Sequence, residues 1–347
     1  MNSAMETLFD IVKLKFDLLT PISLPLGFND NRWVNGTSSE ADWLANCKIV
    51  NHVEITHTIG FFLLLYNGEY FFGSIGLMKP DSLPVGLVEE PLNSGVFTAV
   101  VSELEISIKT NITNLYIEQN ILSQSSSDPL YRGHDFRDLV PVFSEIFIAK
   151  ITAQYPIDFE NLNQLICNYL SLNAKLVTLP FSIHTLGRIN DLVLLNSKIL
   201  SYETIIQALF SSQFKFAFLD LYRCIEQLYQ IIHVDETYRH LGLSIDRTDF
   251  LIAVEDKLTW RPTERTSLNK IYNDTPDLYK IDLINAITTY DNRIRKYSDW
   301  LYDLRCNIVH LKSVQRTFEL KTNHWEKLIF GLASLLNHWY AKYSNFN

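Results

Sequence analysis

The chain has 347 residues, which is enough for two domains of ordinary size, each able to bury its own core. Hydrophobic residues make up 47% of the chain and charged residues 20%, a balance that excludes an intrinsically disordered protein. The net charge of -9 argues against a protein that coats nucleic acid indiscriminately, because such proteins carry an excess of Lys and Arg.

The N-terminal residues and the apolar runs predict a location in the cell. Residues 1–15 contain no basic segment followed by an apolar one, so we expect no secretion signal and a cytoplasmic protein. The apolar runs, such as residues 59–66, are much shorter than the roughly 20 residues of a membrane-spanning helix. The cysteines are scattered without zinc-ligand spacing. We therefore expect no membrane partner, no metal and no other cofactor.

The first third of the chain is predicted to be rich in β-strands. Two apolar runs, 61–66 and 70–75, flank Asn67-Gly68, a pair that readily supplies the positive φ angles of a tight hairpin turn. Further along, apolar and polar residues alternate over 104–108. This period of two is typical of a strand with one buried face. The sequence therefore predicts a sheet of several strands.

Helical spacing dominates the rest of the chain. Apolar residues at steps of three and four predict helices over 135–154 and 160–172, and then one long helix over 203–233. A second apolar stripe runs without a miss from Leu283 to Leu311 and predicts a helix that packs along the first. Shorter helices are predicted over 249–258, 264–272 and 323–343.

These patterns together predict an α+β protein. We expect a β-rich domain over residues 1–150, a helical connector over 151–202 and an all-α bundle over 203–347. The β-rich domain contains no glycine-rich phosphate loop, no paired-carboxylate motif and no metal-ligand cluster. We expect a sensor or regulatory role for this domain only by analogy with the usual domain arrangement of toxin-type proteins, because none of its residues indicates that role.

The clearest candidates for catalytic residues are Arg305 and His310, near the end of the second apolar stripe. Cleavage of RNA through its own 2′-hydroxyl requires a group that moves protons and a cation that stabilises charge on the phosphate. Histidine titrates near neutrality, and a guanidinium can bind two phosphate oxygens at once. We expect His310 to be the general acid or base and Arg305 to hold the phosphate, without a metal.

The five-residue spacing of Arg305 and His310 limits how the two side chains can reach one phosphate. On a straight helix Arg305 and His310 lie about 140° apart, so one helix does not easily aim both at one phosphate. Either the helix breaks near Asn307, or a two-fold dimer brings two copies of the pair into one cleft. Both solutions remain open from the sequence.

The residues around this pair resemble a known family. The segment 304–310 is similar to the R-x(4 to 6)-H signature of the HEPN superfamily, and 219–228 is similar to its other core helix. The resemblance covers residues 203 to 345. It implies a helical bundle that dimerises, so that paired motifs line one cleft. Active members cut single-stranded RNA without a metal, leave a 2′,3′-cyclic phosphate, and act as toxins or effectors of antiviral defence.

Other residues are assigned supporting roles. We expect Asn307 to contact phosphate or a 2′-hydroxyl, Glu226 to orient Arg305 from the neighbouring helix, and Lys312 to bind RNA. One position departs from the family pattern: active members often place a polar residue directly after the arginine, where this chain has Cys306.

The leading hypothesis is a cytoplasmic, metal-independent endoribonuclease of the toxin or antiviral-defence type. It would act as a homodimer through its helical domain, with the β-rich domain sensing a protein or phage-derived trigger. The first alternative is a non-catalytic HEPN-like module that binds RNA, nucleotide or protein and uses Arg305 as a ligand contact. The second is a scaffold in which Arg305 and His310 serve only the structure.

Overall fold

A computed structural model shows the chain as two compact units, Met1–Pro156 and Ile157–Asn347. An antiparallel sheet lies in the N-terminal half and mostly helices in the C-terminal half, so the predicted mixed α+β class is confirmed. The residues that the structure describes are 2–19, 32–156, 161–258, 262–310 and 318–344.

The described part of the first unit contains a sheet of five strands: β1 (Lys48–Thr56), β2 (Ile59–Tyr66), β3 (Glu69–Ile75), β4 (Leu87–Glu89) and β5 (Ile146–Ile151). All neighbours are antiparallel, in the order β1-β2-β3-β5-β4. Asn67 and Gly68 join β2 to β3 with φ angles of 50° and 77°, the positive values that a two-residue hairpin turn requires. Tyr66 pairs with Glu69 across this turn, so the predicted hairpin is confirmed.

Helices pack against one face of this sheet: α1 (Asn2–Leu19), α2 (Ser38–Asn46), α3 (Ser94–Glu103), α4 (Asn114–Ile117, continued by a π-helical turn over Glu118–Leu122) and α5 (Phe136–Leu139). The core between them buries Phe62 and Phe71 from the sheet with Leu8 of α1 and Phe97 of α3. Each such side chain contributes roughly 1.5–3 kcal/mol by leaving water. The Asn93 side chain starts α3 by accepting the first free backbone N–H groups of that helix.

Two sequence predictions for this unit are wrong. Residues 104–108 form no strand, because α3 ends at Glu103, Glu105 turns the chain with a φ of 46°, and Ile108 makes only an isolated bridge. The alternation there reflects burial in the core and not strand pairing. The helix predicted over 135–154 is also wrong, because this segment contains only the short α5 and then β5. A short apolar run fits a buried strand and a buried helix equally well.

In the described residues of the second unit all regular structure is helical: α6 (Leu162–Ser171), α7 (Ile183–Val193), α8 (Tyr202–Phe210), α9 (Phe214–Leu241), α10 (Arg247–Leu258), α11 (Glu264–Asp274), α12 (Asp277–Tyr290), α13 (Tyr297–Val309) and α14 (Thr322–Lys342). The segment predicted as a connector supplies α6 and α7, which pack inside this unit. Helix α9 ends where Gly242 takes the left-handed conformation. No helix in the described ranges is long and apolar enough to cross a membrane.

The two long helices predicted here are each interrupted. The segment 203–233 is split between α8 and α9, and the hydroxyl of Ser211 in the break donates to Asp220. The stripe from 283 is split between α12 and α13, and Asp291 in that break accepts the backbone N–H of Arg293. Leu311 lies outside the described residues. Apolar spacing continues across both breaks because each of the separate helices buries an apolar stripe of its own.

His134 is a buried titratable group of the first unit. Its ring contacts those of Phe9 and Tyr131 at centroid distances of 5.0 and 5.3 Å, and its Nε2 has no partner in the described part of the chain. Burial, with a smaller effect of Arg32, lowers the pKa of His134 from 6.5 to about 4. At a pH between these two pKa values, His134 is protonated in the unfolded chain and neutral in the folded chain.

We expect this histidine to destabilise the folded chain in mild acid. The free energy of unfolding should fall by about 2 kcal/mol on this account between about pH 7 and about pH 5. His134→Phe keeps an aromatic ring in place and removes the titratable group. In urea unfolding, the free energy of this variant should therefore fall by about 2 kcal/mol less between the two pH values than that of the intact chain. Phe9→Leu changes the same contact without a titratable group and should lower stability equally at both pH values. Identical pH dependence in the intact chain and His134→Phe would contradict the prediction.

Candidate functional site

Arg305 lies near the end of α13, with only 15% of its side chain exposed. Its Nε donates to Oε1 of Glu226 on α9 at 2.9 Å, and its Nη2 approaches the same oxygen at 2.8 Å. Its Nη1 lies 3.8 Å from a carboxylate oxygen of Glu264, the first residue of α11. The predicted contact between Glu226 and Arg305 is therefore present, and the guanidinium lies among three helices.

A second arginine ties α11 to α13 beside this pair. Arg265 donates from Nη1 to Asp299 at 2.7 Å and from Nη2 to Asp303 at 2.6 Å. Its guanidinium carbon lies 4.6 Å from the ring centre of Tyr302. The two carboxylates are four residues apart, on one side of α13, so a single planar guanidinium can bridge them. Arg265 thus fixes how α13 lies on α11.

The electrostatic environment keeps Arg305 charged. Burial raises the pKa of the Glu226 carboxyl, and Arg305 opposes that effect by favouring the charged form. Burial acts to lower the pKa of Arg305, but the carboxylates of Glu226 and Glu264 outweigh it and raise that pKa. Two buried tyrosines lie on the same helix as Glu226, and the hydroxyls of Tyr222 and Tyr229 are 3.1 Å apart. The charge of Arg305 is therefore held in a partly desolvated, hydrogen-bonded setting.

His310 caps the C-terminus of α13 and is exposed. Its backbone N–H still donates to the carbonyl of Cys306 at 2.9 Å, as in a continuing helix. Helix α13 runs unbroken through Asn307 to Val309, so the break near Asn307 that the sequence left open does not occur. Arg305 and His310 remain about 140° apart around the helix axis. The structure brings Arg305 to Glu226 but does not turn His310 towards the same side.

The remaining predicted site residues have different surroundings. Asn307 is half-buried on α13. Cys306 is also half-buried, and its hydrogen bond with the Tyr302 hydroxyl raises the pKa of that tyrosine. Lys312 lies outside the described residues. The cysteine that departs from the family pattern is therefore engaged by its own helix.

Sequence reasoning missed Glu264 and Arg265, which complete the surroundings of Arg305. Both lie in the first turn of α11, a helix that the sequence predicts over 264–272. Their charges are visible in the sequence, but their partners on α13 depend on how the two helices pack. A Glu-Arg pair at the start of a predicted helix is the only signal that the sequence offers.

No group of three or more His, Cys, Asp or Glu side chains is arranged to hold a metal ion within the ranges that the structure describes. Comparison with models of known protein families, with curated proteins and with solved structures finds no match to this chain. The HEPN resemblance therefore rests on the motif residues alone.

The Arg305–Glu226 contact makes a prediction about stability. Glu226→Gln removes the charge that faces a guanidinium with little access to water, so we expect the free energy of unfolding to fall by about 2 kcal/mol. The matched control is Glu264→Gln. That carboxylate is 45% exposed and lies at 3.8 Å, so its removal should cost less than about 0.5 kcal/mol. Urea unfolding of both variants measures the difference, and equal losses would contradict the assigned geometry.

Proposed function

We propose that the second unit is a metal-independent endoribonuclease of the HEPN type that cleaves single-stranded RNA by attack of its own 2′-hydroxyl. One observation carries the proposal: a partly buried guanidinium, fixed by a carboxylate of a neighbouring helix, lies five residues before an exposed histidine at the helix end. This arrangement supplies a positioned cation and a solvent-accessible proton carrier. In this role Arg305 holds the phosphate and His310 is the general acid or base.

The way in which Arg305 is held decides where a phosphate binds. Glu226 occupies Nε and Nη2, the two groups on one edge of the guanidinium. Nη1 has a long contact of 3.8 Å with the half-exposed Glu264, and Cys306 also lies within hydrogen-bond reach of the guanidinium. A phosphate therefore binds at Nη1 and displaces Glu264, while Glu226 keeps the guanidinium in orientation.

The histidine is supplied by a second copy of the chain. Since α13 is unbroken through Asn307, the Arg305 and His310 of one helix do not meet at one phosphate. In a two-fold dimer, Arg305 of one copy faces His310 of the other, and two such pairs line a single cleft. Asn307, between them on the helix, contacts phosphate or a 2′-hydroxyl, and Lys312 adds charge at the edge of the cleft. The enzyme acts in the cytoplasm as a toxin or defence effector, and the first unit responds to its trigger.

Two observations favour a second function. Arg305 already has a carboxylate partner, and Cys306 stands where active HEPN members often have a polar residue. A non-catalytic HEPN-like module that binds RNA, nucleotide or protein would tolerate both features. In such a module Arg305 is a ligand contact and His310 is dispensable.

Cleavage of a mixed single-stranded RNA in the presence of EDTA tests the proposal. We expect cleavage by the intact chain that leaves 2′,3′-cyclic phosphates, and a fall in rate of at least about 100-fold in Arg305→Ala and in His310→Ala. Arg188→Ala and His184→Ala, at exposed positions of α7, control for loss of a surface charge or ring and should cleave normally.

Two results would contradict the nuclease. One is cleavage that persists in both site variants. The other is binding of the RNA without cleavage, weakened by Arg305→Ala and unaffected by His310→Ala, which is what the binding-module alternative predicts. Circular dichroism and thermal melting of each variant would show that a loss of cleavage does not come from unfolding.

A further inference from the structure

A cavity of about 400 Å³ lies in the second unit, where the C-terminal turns of α9 and α14 meet α11. Four basic side chains contribute to its wall: Arg239, His240, Lys270 and Lys342. In a chain with a net charge of -9, such a concentration of cations around one cavity suggests a ligand of opposite charge.

The two carboxylates of the wall are already paired. Lys270 lies 3.1 Å from Glu236 and 3.1 Å from Asp274, so it neutralises part of their charge. Arg239 binds the buried carboxylate of Asp235 at 2.5 Å. Arg247 lies 3.5 Å from the same carboxylate, which is thus shared between two guanidinium groups. These charges balance one another, so the net positive charge at the cavity comes from Lys342.

The Lys342 ammonium lies over the ring of Trp339 at the cavity wall. Its Nζ lies 4.4 Å from the ring centre of Trp339, and the Trp339 indole N–H donates to the hydroxyl of Thr275 at 2.8 Å. Among the described residues no carboxylate forms an ion pair with Lys342, whose contacts are with the rings of Trp339 and Tyr343. An ammonium that is positioned by an aromatic ring and has no carboxylate partner is prepared to bind an anion.

The location of the cavity relates it to Arg305. Glu226, His233 and His240 follow one another at seven-residue intervals and therefore share one face of α9. His233 lies 3.1 Å from the Ser267 hydroxyl of α11, so α11 follows this face between the two ends. His240 is about 21 Å along the helix axis from Glu226. An RNA chain of several nucleotides spans that distance.

We propose that the cavity binds a backbone phosphate of the RNA substrate, several nucleotides from the phosphate held by Arg305, an inference that rests on the proposed function. Ammonium, imidazole and guanidinium groups all bind phosphate oxygens. The aromatic rings of the wall are not open to a base, because Trp339 is 1% exposed and Tyr343 is 4% exposed. The ligand is therefore a phosphate of a chain, and not a free nucleotide bound through its base.

The test measures binding and needs no cleavage. The probe is a short single-stranded oligonucleotide with 2′-O-methyl groups, which lacks the attacking hydroxyl, and its affinity for the full chain is followed by fluorescence anisotropy over a series of salt concentrations. Loss of one phosphate contact lowers the slope of log affinity against log salt by about 0.7 for a single strand. We expect this change in Lys342→Gln and weaker binding in His240→Gln. Lys327→Gln, an exposed lysine near the other end of α14, is the matched control and should keep the slope of the intact chain.

The possible results distinguish failure of the phosphate site from failure of the proposed nuclease activity. Equal slopes for the intact chain, Lys342→Gln and Lys327→Gln would overturn the proposed site, even if the intact chain cleaves RNA. A lower slope in Lys342→Gln alone supports the phosphate site, even if the intact chain does not cleave, in which case only the nuclease fails. Uridine monophosphate is the second probe. If Lys342→Gln weakens binding of this nucleotide but not of the oligonucleotide, the RNA backbone is not the ligand and the proposal is wrong.

Discussion

The ion pair between Arg305 and Glu226 determines how the end of α13 is placed. The Arg305 side chain is only 15% exposed, so its charge has lost part of its hydration, and without a carboxylate this loss would destabilise the fold. Glu226 therefore fixes α13 against α9 at one point, and Arg265 fixes the same helix against α11 through two aspartates. With both contacts in place, the direction of α13 and the position of His310 at its end are set.

The same pair limits the chemistry that one copy of the chain can perform. Glu226 leaves one edge of the Arg305 guanidinium for a ligand, and the unbroken α13 keeps His310 on another side of the helix. In the proposed enzyme, a phosphate at that edge would need a histidine from elsewhere, which a second copy of the chain would supply. The cationic cavity at the far ends of α9 and α14 would extend the contact with RNA away from the cleavage point.

The sequence predicts features that depend on local geometry. The hairpin follows from Asn67-Gly68 because few other pairs adopt two positive φ angles at low cost. Glu226 is chosen from the sequence as a polar residue on the segment that resembles the other HEPN core helix, and its carboxylate accepts from Arg305. Features that depend on tertiary packing were missed. Residues 104–108 alternate like a strand, but the left-handed conformation of Glu105 turns the chain within this segment. Glu264 and Arg265 acquire their partners only once α11 lies along α13.

Mixing of the two inactive variants shows directly whether Arg305 of one copy acts with His310 of another. Arg305→Ala and His310→Ala chains, unfolded together and refolded in equal amounts, give heterodimers that contain one complete pair. We expect recovery of about a quarter of the intact cleavage rate, because half of the dimers are mixed and each mixed dimer has one of two pairs. Light scattering of the mixture would establish that dimers are present. If dimers form and no cleavage returns, although the intact chain is active, the shared cleft is wrong.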